Sequence, residues 1–325
     1  MPDRPEQRQL GNTDIFVSPV ALGCWPIAGM TSLDVNDGDS IATLEAAVDA
    51  GVNFFDTAYG YGAHGESERL IARALQARRD EVVIATKGGI AWDENLARVL
   101  DGRGETLKRQ CDESLRRLDT DRVELLYLHA PDPDTDIAES AGALKELMDA
   151  GKARAIGVSN FRVEQLEAFQ TVCPIAAFQP PYNMLQRDIE QDTLPWCREH
   201  DVSVVIYWPL MKGLLAGKLR RDHVFHERDG RSKYPMFQGD EWRKNQDFLD
   251  RLRTIADNAG KTVAQLVVNW TIHQPGVTAA LCGAKRASQI EETAAAMGWQ
   301  LTPEQLAQID HALSQRGTAV TRNPV

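Results

Sequence analysis

Val52-Asn-Phe-Phe-Asp-Thr-Ala-Tyr-Gly-Tyr-Gly62 passes from an apolar, β-prone segment into a carboxylate, then into a tyrosine bracketed by glycines. Val52 to Phe55 reads as a buried strand. Asp56 places a charge at its carboxyl end, and Gly60 and Gly62 let the backbone turn tightly around Tyr61. A carboxylate ending an apolar strand is costly unless it is paired. The layout then repeats. Glu81-Val-Val-Ile-Ala-Thr-Lys87-Gly-Gly89 ends an apolar run in a cation, and Glu124-Leu-Leu-Tyr-Leu-His129 ends one in an imidazole. In a parallel α/β fold the carboxyl ends of the strands share one rim, where active sites are built. Asp56, Tyr61, Lys87 and His129 on such a rim form a proton-transfer set. Lys87 is expected to pull the Tyr61 pKa down, Asp56 to hold the ammonium, and His129 to bond a polar substrate atom. Singly, each has a plain structural reading as a cap, a turn residue or a rim side chain. On consecutive strand ends they read as a site.

Outward from these strands, short apolar runs alternate with amphipathic stretches. A hairpin is expected over 8–18, around the Gly11-Asn-Thr-Asp14 turn, and a strand over 20–24. Further strands are expected over 82–86, 124–128, 154–158, 175–179, 202–207 and 277–281. Helices are expected over 37–50, 66–78, 105–118, 137–150, from 163, 188–200, 241–258, 262–274, 287–297 and 303–314. Eight strands, each followed by helix, predict an α/β (β/α)8 TIM barrel with an N-terminal β-hairpin that plugs its bottom and a C-terminal helix. No linker or low-complexity tract divides the chain, so residues 1–325 are expected to form one domain. Residues 88–102 read as a loop. The connection over 209–240 is long, begins on the active rim and reads as a lid or ligand clamp.

The 325 residues are 43% hydrophobic, with a net charge of −11 and a pI of about 5.2. That acidity argues against binding to nucleic acid or an anionic membrane. The polar start, Met1 to Arg8, has no apolar h-region, and no apolar run is long enough to span a bilayer, so a cytoplasmic address is expected. The five cysteines share no Cys-x-x-Cys spacing and are expected to be free, buried thiols in a reducing compartment. His223 and His226 read as solvated, without the further ligands a metal site needs. The Glu227–Lys233 stretch reads as a solvated face from which Arg231 or Lys233 reaches a phosphate. Trp25 and Trp92 sit on rim loops and are candidates to line a pocket. Nothing in the sequence specifies an oligomeric state.

No Gly-x-Gly-x-x-Gly follows the first strand, so a Rossmann site is not supported. Leu281-Cys-Gly-Ala-Lys285-Arg286-Ala-Ser, after the last strand, instead opens a helix whose N-terminus suits phosphate.

With those pieces placed, the chain resembles the aldo/keto reductase superfamily, in the branch that includes potassium-channel β subunits. The resemblance rests on Phe55-Asp-Thr-Ala-Tyr-Gly-Tyr-Gly62, Ala85-Thr-Lys-Gly-Gly89, Leu126-Tyr-Leu-His129, Gly157-Val-Ser-Asn-Phe161, Phe178-Gln-Pro-Pro-Tyr-Asn183, Tyr207-Trp-Pro-Leu210 with Gly213-Leu-Leu-Ala-Gly-Lys218, and Gly283-Ala-Lys285 with Gln289 and Glu292. It implies reduction of a small carbonyl or sugar substrate with NADP(H), ahead of NAD(H). Asp56, Tyr61, Lys87 and His129 match the family's catalytic tetrad, with Tyr61 as proton donor. The same resemblance places Ser159, Asn160 and Gln179 on the nicotinamide carboxamide and Tyr207 against its ring. It places Trp25, Trp208, Pro209, Leu210, Lys212, Gly213 and Lys218 along the cofactor, with Pro209, Leu210, Lys212 and Lys218 where a loop wraps the pyrophosphate. Gly283, Lys285, Gln289, Glu292 and Thr293 fall on the adenosine 2′-phosphate and adenine. Many members carry Ser where this chain has Trp208, a departure at the first contacts of that loop; many also carry Arg where Gln289 sits and Asn where Thr293 sits, so here the 2′-phosphate is expected to rely more on Lys285 and Arg286. Two rival readings remain: an NADPH-binding regulatory or sensor subunit with slow turnover, and an NAD(P)-dependent sugar dehydrogenase.

Overall fold

The computed structural model describes residues 6–321; residues 1–5, part of the polar start behind the cytoplasmic expectation, lie outside them. Eight parallel strands close into a barrel: Val20–Gly23 (β1), Phe54–Asp56 (β2), Val83–Gly88 (β3), Val123–Leu128 (β4), Ala153–Ser159 (β5), Ala177–Gln179 (β6), Ser203–Tyr207 (β7) and Val277–Gly283 (β8). Each pairs with its neighbours in chain order, and β8 returns to β1 through Leu281↔Ala21 and Gly283↔Gly23. Helices form the outer layer: Asp37–Asp49 (α1), Glu66–Leu75 (α2), Gly104–Leu118 (α3), Ile137–Asp149 (α4), Val163–Gln170 (α5), Thr193–Glu199 (α6), Gly239–Asn258 (α7) and Val263–Ile272 (α8) join consecutive strands, and Ala287–Ala294 (α9) follows β8. Pro303–Arg316 (α10) follows and packs on α7.

The strands are apolar almost throughout because both faces are covered. Phe54, Val83, Ala85, Leu125, Tyr127, Ala155, Ala177, Val205, Ala279 and Leu281 fill the interior. Their neighbours Phe55, Ile84, Leu126, Ile156, Phe178, Val204, Ile206 and Ala280 pack outward against the helices. The hairpin expected over 8–18 forms, pairing Arg8–Gln9 with Phe16–Val17. Leu10, Ile15 and Val17 enter the interior cluster from below, so the hairpin plugs the barrel. Gly11 is needed for that seat: its φ is +51°, and a Cβ there would lie 2.6 Å from the Ala176 carbonyl oxygen.

The interior is tight where β4 meets β5. A Cβ at Gly157 would stand 2.4 Å from Cε1 of Tyr127 and 2.9 Å from the Ala177 carbonyl oxygen. Neither a ring locked in the barrel nor a paired backbone can yield, so Gly157→Ala is expected to cost about 2–3 kcal/mol by overpacking. Urea denaturation measures this, and an unchanged midpoint would show that the Tyr127 ring can move.

The segment expected as a loop over 88–102 is instead an antiparallel hairpin, Ile90–Trp92 with Arg98–Leu100, lying across the rim. Its two short strands are joined by a turn in which Asp93 accepts from the backbone of Asn95 and Ala97. Local turn chemistry overrode the composition. Two expected helices are also shorter, because 76–81 and 188–190 adopt 3-10 turns. The long 209–240 connection carries three 3-10 turns and no longer element. Among the described residues no helix is long and apolar enough to cross a membrane. All five cysteines are buried and free.

Candidate active site

Period-two alternation decides what faces the barrel axis. Phe54, Ala85 and Leu125 point inward, so Asp56, Lys87, Tyr127 and His129 follow on the same side of their strands. Extending that count around the barrel gives one inward layer at the carboxyl ends: Gly23, Asp56, Lys87, His129, Ser159, Gln179, Tyr207 and Gly283. Backbone pairing continues just past the strands, with Thr57 N–H donating to Ala85 and His129 N–H to the Gly88 carbonyl.

Lys87 and Asp56 are both 1% exposed, and Lys87 Nζ stands 2.5 Å from Asp56 Oδ1. The ammonium also donates to the Thr57 carbonyl at 2.8 Å and to Tyr61 Oη at 3.4 Å. The other Asp56 oxygen accepts from Gln179 Nε2 at 2.8 Å. The Tyr61 ring meets the His129 ring edge-on, with centroids 5.8 Å apart. On its other side it meets Trp25 edge-on at 5.1 Å, and Trp25 in turn contacts Trp92 at 6.4 Å.

Burial pushes the Asp56 carboxyl up and the Lys87 ammonium down, and their mutual attraction opposes both shifts. The Tyr61 phenol lies well above its usual value of 10, driven first by burial and then by the Asp56 charge. The expectation that Lys87 pulls Tyr61 down is therefore overturned. The ammonium is matched by Asp56 at contact distance, and desolvation together with the Asp56 charge outweighs the pull that the lysine exerts on the phenol. Burial, with the Lys87 and Arg98 charges, holds His129 well below its usual value, so its ring is neutral. His129 Nδ1 is buried and has no hydrogen-bond partner among the described residues.

Beside this group, Asn160 Nδ2 donates to the His129 carbonyl at 3.0 Å and to Ser159 Oγ at 2.9 Å. Tyr207 Oη donates to Asn160 Oδ1 at 2.7 Å, and Ser159 Oγ to the Gln179 carbonyl at 2.7 Å. Trp208 holds a left-handed φ of +62°, and its carbonyl accepts from Asn183 Nδ2 at 3.2 Å. A bulky residue in that region is strained unless its surroundings impose it. Pro209 and Leu210 follow, and Met211, Lys212 and Gly213 all keep positive φ as the chain reverses. Lys212 Nζ sits 4.3 Å above the Trp208 ring and 4.8 Å from that of Tyr234.

The residues assigned to the adenosine end are brought together, largely with one another. Lys218 Nζ pairs with Glu292 at 2.5 Å, linking the long loop to α9. Gln289 Oε1 accepts from the Lys285 backbone, and Thr293 Oγ1 bonds back to the Gln289 carbonyl. Lys285 Nζ donates to the Leu33 carbonyl, while Arg286 donates to the Asp34 carbonyl and pairs with Asp39 at 3.3 Å. Of the loop cations offered for phosphate, Arg231 is instead held by both Asp229 oxygens and donates to the Lys212 carbonyl. His226 Nδ1 accepts from the Arg228 backbone, and His223 packs edge-on against Phe225. Among the described residues no three His, Cys, Asp or Glu side chains are grouped to hold a metal ion.

The donor set fits a nicotinamide cofactor. Ser159, Asn160 and the Gln179 carbonyl form a hydrogen-bonded chain that ends on the Tyr207 hydroxyl, which puts amide and hydroxyl groups beside an aromatic ring on the rim. Sequence reasoning did not find Arg98, which the loop expectation concealed, or the Thr57 carbonyl, since backbone groups leave no trace in a motif.

A parallel eight-stranded barrel with a buried lysine–carboxylate pair, a tyrosine and a neutral histidine on its carboxyl rim defines a class of hydride-transfer oxidoreductases. Residues 19–314 match the Aldo/keto reductase family, and the chain belongs to that family. It is 36% identical over 311 residues to aldo-keto reductase YhdN of Bacillus subtilis (strain 168), covering 95% of this chain and 93% of the relative. Probable aldo-keto reductase 1 of Glycine max is 30% identical, covering 94% and 88%. Among solved structures, the glycerol dehydrogenase AKR11B4 from Gluconobacter oxydans superposes with a TM-score of 0.90 at 36% identity, covering 98% of each chain. The aldo-keto reductase AKR11C1 from Bacillus halodurans, in its holo form, superposes at 0.78 with 25% identity, covering 98% and 99%.

Proposed function

We propose that this protein reduces small aldehydes and ketones to alcohols, with NADP(H) as cofactor and Tyr61 as proton donor. The observation that carries this is the contact chain Asp56–Lys87–Tyr61, closed by the His129 ring. Tyr207 would hold the nicotinamide ring and Ser159, Asn160 and Gln179 its carboxamide; when bound, the cofactor would supply the hydride. Tyr61 Oη donates its proton to the carbonyl oxygen as negative charge develops there. Lys87 steadies the phenolate that remains, and Asp56 keeps Lys87 aligned. His129, held neutral, orients the carbonyl oxygen. Trp25 and Trp92 screen the reacting group from water. Lys285 and Arg286 at the start of α9 favour the 2′-phosphate, because each retains N–H donors beyond those already used.

The test pairs a fluorescence titration against NADPH and NADH with NADPH oxidation on 4-nitrobenzaldehyde. Tight NADPH binding with steady turnover is expected. Tight binding without turnover on a broad aldehyde panel would replace this reading with that of a binding subunit.

The raised Tyr61 pKa sets the pH behaviour. Reduction uses the protonated phenol, which persists below that value, so kcat/KM for reduction should be flat from about pH 6 to 9. Oxidation of an alcohol uses the phenolate, whose small fraction grows about tenfold per pH unit, so that direction should climb steadily with pH. A reductive rate that fell between pH 6 and 8 would show a much lower Tyr61 pKa (both ranges approximate).

A further inference from the structure

The rim hairpin carries a cation that neither the fold nor the tetrad uses. Arg98 stands directly opposite Trp92 in the hairpin register, so the two side chains leave the same face. That face is fixed toward the site: Trp92 Nε1 donates to the Gly60 carbonyl at 2.7 Å, and the Trp92 ring touches Trp25, which touches Tyr61. Two residues beyond Arg98, on the same side of its strand, Leu100 lines a cleft of about 410 Å³ together with Pro131, Asn160 and Phe161. Arg98 thus lies between the tryptophan wall and a cleft that opens beside Asn160. Its charge is felt on both sides of the rim, by His129 and by Tyr207.

Three carboxylates near it in the chain or fold are committed elsewhere, while Glu94 in the hairpin turn is exposed and pairs with no cation among the described residues. Asp93 accepts from its own turn, Asp101 holds Arg103, and Asp132 accepts from Gly102 N–H and Thr135. Among the described residues Arg98 makes no hydrogen bond or ion pair. A guanidinium in that position offers a planar fork matched to a carboxylate or phosphate.

We propose that Arg98 is the receptor for an anionic group on the substrate, so that the site prefers aldehydes bearing a carboxylate or phosphate a few bonds from the carbonyl. This rests on the reductase reading above and adds the substrate class. In binding, the anion lies against Arg98 at the hairpin while the carbonyl reaches Tyr61 and His129 past Trp25. The hairpin is therefore a specificity element, and Arg98 acts by contact with substrate, not through the tetrad.

The test compares kcat/KM for 4-carboxybenzaldehyde with that for its neutral methyl ester, and for glyceraldehyde 3-phosphate with that for glyceraldehyde, in wild type, Arg98→Gln and Arg98→Lys. Wild type should favour at least one anionic member by about tenfold to a hundredfold, mainly through KM, as a charge-assisted contact would. Which pair shows the larger ratio distinguishes carboxylate from phosphate. The ratio should fall to near one in Arg98→Gln, recover in part in Arg98→Lys, and shrink in high salt. A wild-type ratio near one in both pairs, or an unchanged ratio in Arg98→Gln, overturns the proposal while leaving the reductase reading intact. Absence of turnover with all four aldehydes overturns both.

Discussion

Tyr61→Phe is expected to lower kcat for aldehyde reduction by about a hundredfold to ten-thousandfold, the range spanned by positioned general acids. The phenyl ring fills the same space between Trp25 and His129, so both edge-on contacts survive. Only the hydroxyl is lost, and with it the donor within 3.4 Å of Lys87 Nζ. Cofactor affinity should change little, since Tyr61 is not among the groups placed around the carboxamide or the phosphates. Stopped-flow single turnovers with NADPH would separate the chemical step from product release. A variant that kept wild-type single-turnover rates would move the proton donor to another group, with His129 first in line.

The second large effect is on stability. Lys87→Met should destabilise the protein by about 3–5 kcal/mol, because it strands the Asp56 carboxylate in the barrel. Asp56 is 1% exposed, and its remaining partner is Gln179. Its pKa already lies above the usual carboxylate value with the lysine present. Without Lys87 the carboxyl takes up a proton on folding, which softens the cost at low pH and leaves most of it at neutral pH. Asp56→Asn with Lys87→Met should restore much of the loss, since replacing both charges removes the desolvation penalty from each side. Urea denaturation of the singles and the double gives the coupling. Additive effects would mean that the pair contributes no specific interaction. Activity is expected to stay low in all three, because the ammonium beside the phenol is gone or misplaced.

The eight-strand order, the hairpin plug and the C-terminal helix were all legible because each depends on a local signal: an apolar run buried on both faces, a glycine-rich turn, a capped amphipathic stretch. The candidate site was legible for a related reason. In a strand, alternate residues share a face, so an inward Phe54 commits Asp56 to the axis, and an inward Ala85 commits Lys87. Sequence therefore specified which side chains meet at the rim. It specified less in the connections. The hairpin over 90–100 was hidden because its strands are only three residues each, too short for a period to show. The 3-10 turns that shorten two helices were hidden for the same reason.

Only the tertiary structure decided the electrostatics. From sequence, a lysine near a tyrosine predicts a lowered phenol pKa. In the fold the same lysine is neutralised by Asp56 at contact distance inside a desolvated barrel, and the phenol moves the other way. Distance and burial set that balance, and neither is a local property of the chain. Placement of Arg98 beside the tryptophan wall, and of Lys285 and Arg286 on the carbonyls of Leu33 and Asp34, belongs to the same category. The candidate site residues were written at and just past the strand ends; the charges they feel were set by how tightly those strands close.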